Sequence, residues 1–231
     1  MLELFPEGLA EERESGAARL VAFTDEAGVE RLRATFDGVR VEPVDEGWEA
    51  AWRRFHRPVQ VAGLWIGPPW EQPDPGLPPV VIDPGRAFGT GAHPTTQLCI
   101  ELLTELERGS VMDVGCGSGV LAIAACRLGF APVGALDVDE AAVEATRRNA
   151  RANEVELTVA RVDVTAERVP DARIVVANID LAGLGRITWP AGAELLIASG
   201  YCESDRPEIR GFRQLRRATR DAWAADLFGR G

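Results

Sequence analysis

"SVMDVGCGSGVLAIAACRLG", residues 110–129, is the stretch from which the fold of this chain can be read. Its opening apolar run reads as a buried strand, and the glycines at 115, 117 and 119 as a tight loop. "VLAIAACRLG" then reads as a helix of small residues closed by Gly129. Strand, glycine loop and helix together bring a backbone close to a ligand at the carboxyl end of a parallel strand. The loop is not a dinucleotide fingerprint. G-x-G-x-x-G counted from Gly115 needs a glycine at 120, where Val120 stands. What is present is D-x-G-x-G-x-G, with Asp113 two residues before the first glycine. A carboxylate there repels a pyrophosphate and suits a ligand carrying positive charge.

The next strand, "APVGALDV" (131–138), ends in Asp137, 22 residues past Gly115. A carboxylate at that place accepts both hydroxyls of a ribose. S-adenosyl-L-methionine has a ribose, an ammonium and a sulfonium but no phosphate, and it fits Asp113, Gly115, Gly117 and Asp137 together. The predicted fold is therefore α/β: a doubly wound, mostly parallel, seven-stranded class I methyltransferase sheet. The flanking sequence agrees, because strands and helices alternate from residue 80 onward. "PTTQLCIELLTEL" (94–106) and "DEAAVEATRRNARAN" (139–153) read as helices, the second with an Asp cap. "LTVARVD", "RIVVANI" and "AELLIASG" read as strands, and the tail as a closing pair of strands. Asp163, after the third strand, either meets an adenine amino group or is a solvated loop acid. Asn178 ends the fourth strand, beside the expected methyl position. Its oxygen either orients an amine nucleophile or caps the next turn. Methyl transfer to nitrogen is an in-line displacement that needs a neutral amine and a dry site, with no obligatory charged base.

Residues 1–45 read as a small α+β piece, too short for an independent core. "ARLVAFT" (18–24) and "VRVEPV" (39–44) are strand-like, and "DEAGVERLRATF" (25–36) is helical. The acidic "EGLAEERESG" reads as a solvated face. Trp48, Ala51, Trp52 and Phe55 form one helical stripe, read as the core face of a docking helix. "VQVAGLWI" is a strand, and "PPWEQPDPGLPP" a stiff connector. The expected domains are 1–45, a helix and proline-rich linker at 46–79, and the cofactor domain at 80–231.

A net charge of −11 argues against a nucleic-acid substrate and is compatible with a basic protein partner. Cys99, Cys116, Cys126 and Cys202 form no C-x-x-C pair, so no metal site is expected, and a reducing, cytoplasmic home is. The start lacks the pattern of a signal peptide, and the longest apolar run is too short to cross a bilayer. Cys116 is read as chosen for its size. His93, between a glycine loop and a helix start, is read as a structural hydrogen-bonding group rather than a general base.

Five stretches together carry a family resemblance: "DEGWEAAWRRFHRP", "IDPGRAFGTGAHPTT", "DVGCGSGVLAIAACRLG", "ALDVDEAAVEATRRNARAN" and "VVANI". From about residue 45 to 180 the chain resembles the methyltransferases of ribosomal protein L-eleven, the PrmA type. The resemblance implies S-adenosyl-L-methionine as donor, and lysine and N-terminal amines of a basic ribosomal protein as acceptors. It implies a cofactor site containing Thr96, Gly115, Asp137 and Asn178, with Phe88 at the cofactor in the preceding loop. It also implies a ferredoxin-like substrate domain at the amino end, which "MLELFPEG" enters partway through its first helix. The connections after "VVAN" and after "SGYC" are shorter than in the family. A monomer is expected, with no membrane partner. The competing readings are a methyltransferase for another acceptor and a non-catalytic module that keeps the cofactor pocket.

Overall fold

The computed structural model describes residues 10–14, 17–21, 26–36, 38–41, 56–83 and 89–231. The chain divides into two compact units, Met1–Phe55 and His56–Gly231. In the first, β1 (Ala10–Glu14) and β2 (Ala17–Val21) pair antiparallel, with Ala10 opposite Val21. Helix α1 (Glu26–Thr35) follows, close to where a helix is predicted. The acidic stretch read as a solvated face thus contains strand β1. Of the strand predicted at 39–44, Val39–Val41 is not extended into a ladder, and residues 42–44 lie outside the described residues. The opening "MLELFPEG" and the Trp48–Phe55 stripe lie outside them too.

The second unit opens with a three-stranded sheet: β3 (Val59–Val61), β4 (Leu64–Gly67) and β5 (Pro79–Val81). β3 and β4 are antiparallel around a two-residue turn in which Ala62 (φ 51°) and Gly63 (φ 78°) are both left-handed. β4 and β5 are parallel, so the chain between them must cross over, and the proline-rich stretch read as an interdomain connector makes that crossing. Val61, Leu64, Ile66, Val80 and Ile82 are buried in one core with Leu98, Leu102 and Ile123.

The main sheet has seven strands in the order β11-β12-β10-β9-β6-β7-β8. They are β6 (Val111–Val114), β7 (Val133–Asp137), β8 (Thr158–Arg161), β9 (Ile174–Asn178), β10 (Leu195–Cys202), β11 (Phe212–Arg220) and β12 (Trp223–Arg230). Only the pairings of β12 are antiparallel, and the sheet is the doubly wound one predicted. Helices α2 (Pro94–Thr104), α3 (Val120–Arg127) and α4 (Glu140–Ala152) lie within two residues of their predicted bounds. The strand order reverses at β6, which pairs with β7 on one side and β9 on the other. A crevice opens there at the carboxyl ends of the strands. After β9 there is only the one-turn helix α5 (Leu181–Leu184), and β10 reaches β11 without a helix.

Candidate functional site

Gly115, Gly117 and Gly119 have φ of 74°, 54° and 82°, the left-handed region that L side chains rarely adopt. A Cβ on Gly115 would lie 2.4 Å from Ile179 Cγ2, so the site is crowded as well as strained for any other residue. The N–H groups of Gly115 and Cys116 donate to the Leu136 carbonyl at 2.8 and 3.0 Å, tying the loop to β7. Asp137 completes the tie. Its Oδ2 accepts from Gly117 N at 2.9 Å, and its Oδ1 from Asp139 N at 3.0 Å. The Asp139 side chain accepts from Ala141 N and caps α4.

Beside this loop is a cavity of about 340 Å³. Gly89, Thr96, Gly115, Cys116, Gly117, Asp137, Asp163, Thr165 and Asn178 supply its polar and glycine lining. Val114, Val120, Leu121, Leu136, Val138, Val162, Val164 and Ile179 supply the apolar part. Asp137 and Asp163 are carboxylates, and among the described residues no arginine or histidine lines the cavity. A cavity of that polarity repels phosphate and accepts a cationic, ribose-bearing ligand. The mixture of apolar wall and a few placed polar groups is that of a small-molecule site.

The structure brings together Thr96, Gly115, Gly117, Asp137, Asp163 and Asn178 of the predicted set. Asn178 Nδ2 donates to Thr96 Oγ1 at 3.3 Å, leaving the amide oxygen as an acceptor for a ligand. Asp163 Oδ1 accepts from Thr165 N at 3.0 Å and Thr165 Oγ1 at 2.7 Å. These bonds hold its pKa below the usual carboxylate range. Asp163 therefore both closes a turn and lines the cavity.

Asp113 does not line the cavity, which corrects its reading as a direct partner for a cationic ligand. Asp113 pairs with Ala135, two residues short of Asp137, so it sits deeper in the sheet than the strand ends that line the cavity. Asp113 is 1% exposed, with Oδ2 accepting from Ala122 N at 3.1 Å and Oδ1 without a hydrogen-bond partner. Burial is the largest cause raising its pKa to about 7, and the charge of Asp137 adds to it. Phe88 lies outside the described residues. His93 caps α2, its Nδ1 accepting from Thr95 N, and its ring meets Trp223 edge-on at 4.8 Å. Burial lowers its pKa, so the imidazole is neutral at pH 7. Burial also raises the Cys116 thiol, which rules against a nucleophilic thiolate.

The sequence reading missed the support behind the loop. Thr146 on α4 donates to the Gly117 carbonyl at 2.9 Å, and Ser118 Oγ donates to the Gly89 carbonyl. The Asp cap and helical period locate α4 in the sequence. They carry no sign that one of its faces bonds to backbone distant along the chain.

The family model described as ribosomal protein L11 methyltransferase (PrmA) matches residues 10–202. The ribosomal protein L11 methyltransferase of Shewanella pealeana is 43% identical over 187 residues, covering 75% of this chain and 63% of that protein. That of Pectobacterium atrosepticum is 44% identical over 165 residues, covering 68% of this chain and 55% of its own length. The crystal structure of ribosomal protein L11 methylase from Lactobacillus delbrueckii subsp. bulgaricus superposes with a TM-score of 0.66 at 28% identity. It covers 76% of this chain and 99% of that one. The chain spans about three-fifths of the length of the first curated relatives it matches.

Proposed function

Because this chain belongs to the ribosomal protein L11 methyltransferase (PrmA) family, we propose that it is an S-adenosyl-L-methionine-dependent protein N-methyltransferase. Its acceptors are lysine ε-amines and the N-terminal amine of ribosomal protein L11. The observation that carries the reading is the cavity at the strand-order reversal, with two carboxylates, a left-handed glycine loop and no cation among the described residues of its lining. That donor set fits S-adenosyl-L-methionine, which supplies an electrophilic methyl on sulfonium. Asp137 would hold the ribose hydroxyls, Asp163 the adenine amino group, and the glycine loop would let the backbone approach closely. Asn178 is the residue we assign to the acceptor: its amide oxygen takes an N–H of the incoming amine and points the nitrogen lone pair along the displacement axis. The Thr96 hydroxyl fixes which end of that amide is offered. A lysine loses its proton to water before the attack, so the site needs to exclude water rather than to supply a charged base.

The net charge of −11 supports a basic protein acceptor over nucleic acid. No described helix is long and apolar enough to cross a membrane, and we place the protein in the cytoplasm as a monomer. The domain of residues 1–45 serves substrate recognition in this reading. Two assays test it. Calorimetry compares S-adenosyl-L-methionine with NAD, and binding of NAD alone would end the methyltransferase reading. Labelled methyl donor is then offered with purified ribosomal protein L11. Label on L11 supports the acceptor, whereas label only on some other purified protein removes it.

A further inference from the structure

Two places distant along the chain, the cofactor loop at 113–119 and Asp83 just past β5, meet at the same helix. Asn149 and Asn153 are one turn apart on α4, and both are 2% exposed. Asn153 Oδ1 accepts from Val81 N at 2.8 Å and its Nδ2 donates to Val81 O at 2.6 Å. Asn149 repeats the pattern two residues on, accepting from Asp83 N at 3.1 Å and donating to Asp83 O at 3.3 Å. The match is geometric: four residues of helix rise about 6 Å, and two of strand span about 6.6 Å. The two amides thus bond the outgoing end of β5 as a neighbouring strand would. Their third bonds differ. Asn153 donates to Asn149 O inside its own helix, whereas Asn149 donates to Ser118 O in the cofactor loop at 2.9 Å. Neither side chain lines the cavity.

We propose that Asn149 is a positioning residue for cofactor binding: it sets the cofactor loop in register with the backbone of Asp83. Resting on the methyltransferase reading above, this adds a residue that acts from outside the cavity. Ser118 makes the link two-sided, its carbonyl held by Asn149 and its hydroxyl donating to Gly89 O, and Gly89 lines the cavity. A loop fixed by a ligand therefore fixes Ser118, and through Asn149 the backbone of Asp83.

Asn149→Ala and Asn153→Ala make a matched pair, since each removes three hydrogen bonds of a buried amide and each lowers stability to a similar extent. Calorimetry with S-adenosyl-L-methionine then separates positioning from stability. Asn149→Ala is expected to raise the Kd at least tenfold, roughly the effect of losing one well-placed buried bond at the loop. Asn153→Ala is expected to stay within threefold of the parent, and Asn149→Ser to recover part of the loss. Equal effects from the two alanine variants overturn the proposal. A parent chain that binds no S-adenosyl-L-methionine overturns the function instead. Should Asn149→Ala not fold, amide exchange in the parent decides. Added S-adenosyl-L-methionine is expected to slow the Asp83 amide at least tenfold more than the Val81 amide. Equal protection of both sinks the idea.

Discussion

Asp137 has one backbone N–H on each carboxylate oxygen, and each oxygen keeps a lone pair for a ligand hydroxyl. Replacing it by alanine removes both ligand bonds and frees Gly117 N. The expected loss in affinity for S-adenosyl-L-methionine is about 2–3 kcal/mol, roughly a hundredfold in Kd. Calorimetry checks this, and an unchanged Kd would place the ribose elsewhere. Asp113 makes a different prediction. Its folded pKa of about 7 stands well above that of an ordinary, solvated carboxylate, so between those values the folded state holds a proton that the unfolded chain has released. Its contribution to stability is full below the unfolded value and is lost as pH rises toward 7, with a slope of at most about 1.4 kcal/mol per pH unit. Asp113→Asn keeps an acceptor for Ala122 N and cannot ionise. Its urea midpoint is expected to gain on the parent between pH 5 and pH 8, and a pH-independent difference would refute the assignment. Both aspartates stand out in the sequence as acids beside a glycine loop. Which of them reaches the ligand depends on its depth in the sheet: Asp113 pairs with Ala135, whereas Asp137 is the last residue of β7.

At the scale of elements, the helices were legible because their signals are local: an Asp cap, a 3.6-residue period, a closing glycine. The cap on α4 can be tested directly. Asp139→Ala removes the bond to Ala141 N and is expected to cost about 1 kcal/mol in urea unfolding. The Asp139 N–H that donates to Asp137 Oδ1 belongs to the backbone and remains, so the cofactor Kd should not change. A shift in Kd matching that of an Asp137 variant would show that the cap holds the ribose site. Strands were less legible where their residues carry no period of their own. "AEERE" has no alternating apolar pattern, and it is a strand because β2 pairs with it. Pro79 looks like the end of a connector, yet it is the first residue of β5, a position that tolerates proline.

For the whole molecule, every described residue lining the cavity belongs to the unit His56–Gly231. A chain reduced to that unit is expected to unfold cooperatively and to bind S-adenosyl-L-methionine within threefold of the full chain. Its labelling of ribosomal protein L11 should fall at least tenfold. Full labelling by the short chain would remove residues 1–55 from substrate recognition. The same unit marks what sequence determines and what it leaves to folding. Strand, D-x-G-x-G-x-G loop, capped helix and following acid are consecutive, so local propensity and hydrophobic period were enough to define the cofactor half and the sheet class. The cavity itself is made of residues that are far apart in the chain. Thr96 and Asn178 bond across 82 residues, and Asp83 and Asn149 across 66. Only the strand order decided which residues meet, because the reversal at β6 puts the ends of β6, β7 and β9 side by side. Only the register decided that Val114 and Asp137 line the cavity while Asp113 is buried, since Asp113 pairs with Ala135, two residues short of Asp137. Pairing and packing fix both, and neither has a local trace in the residues that obey them.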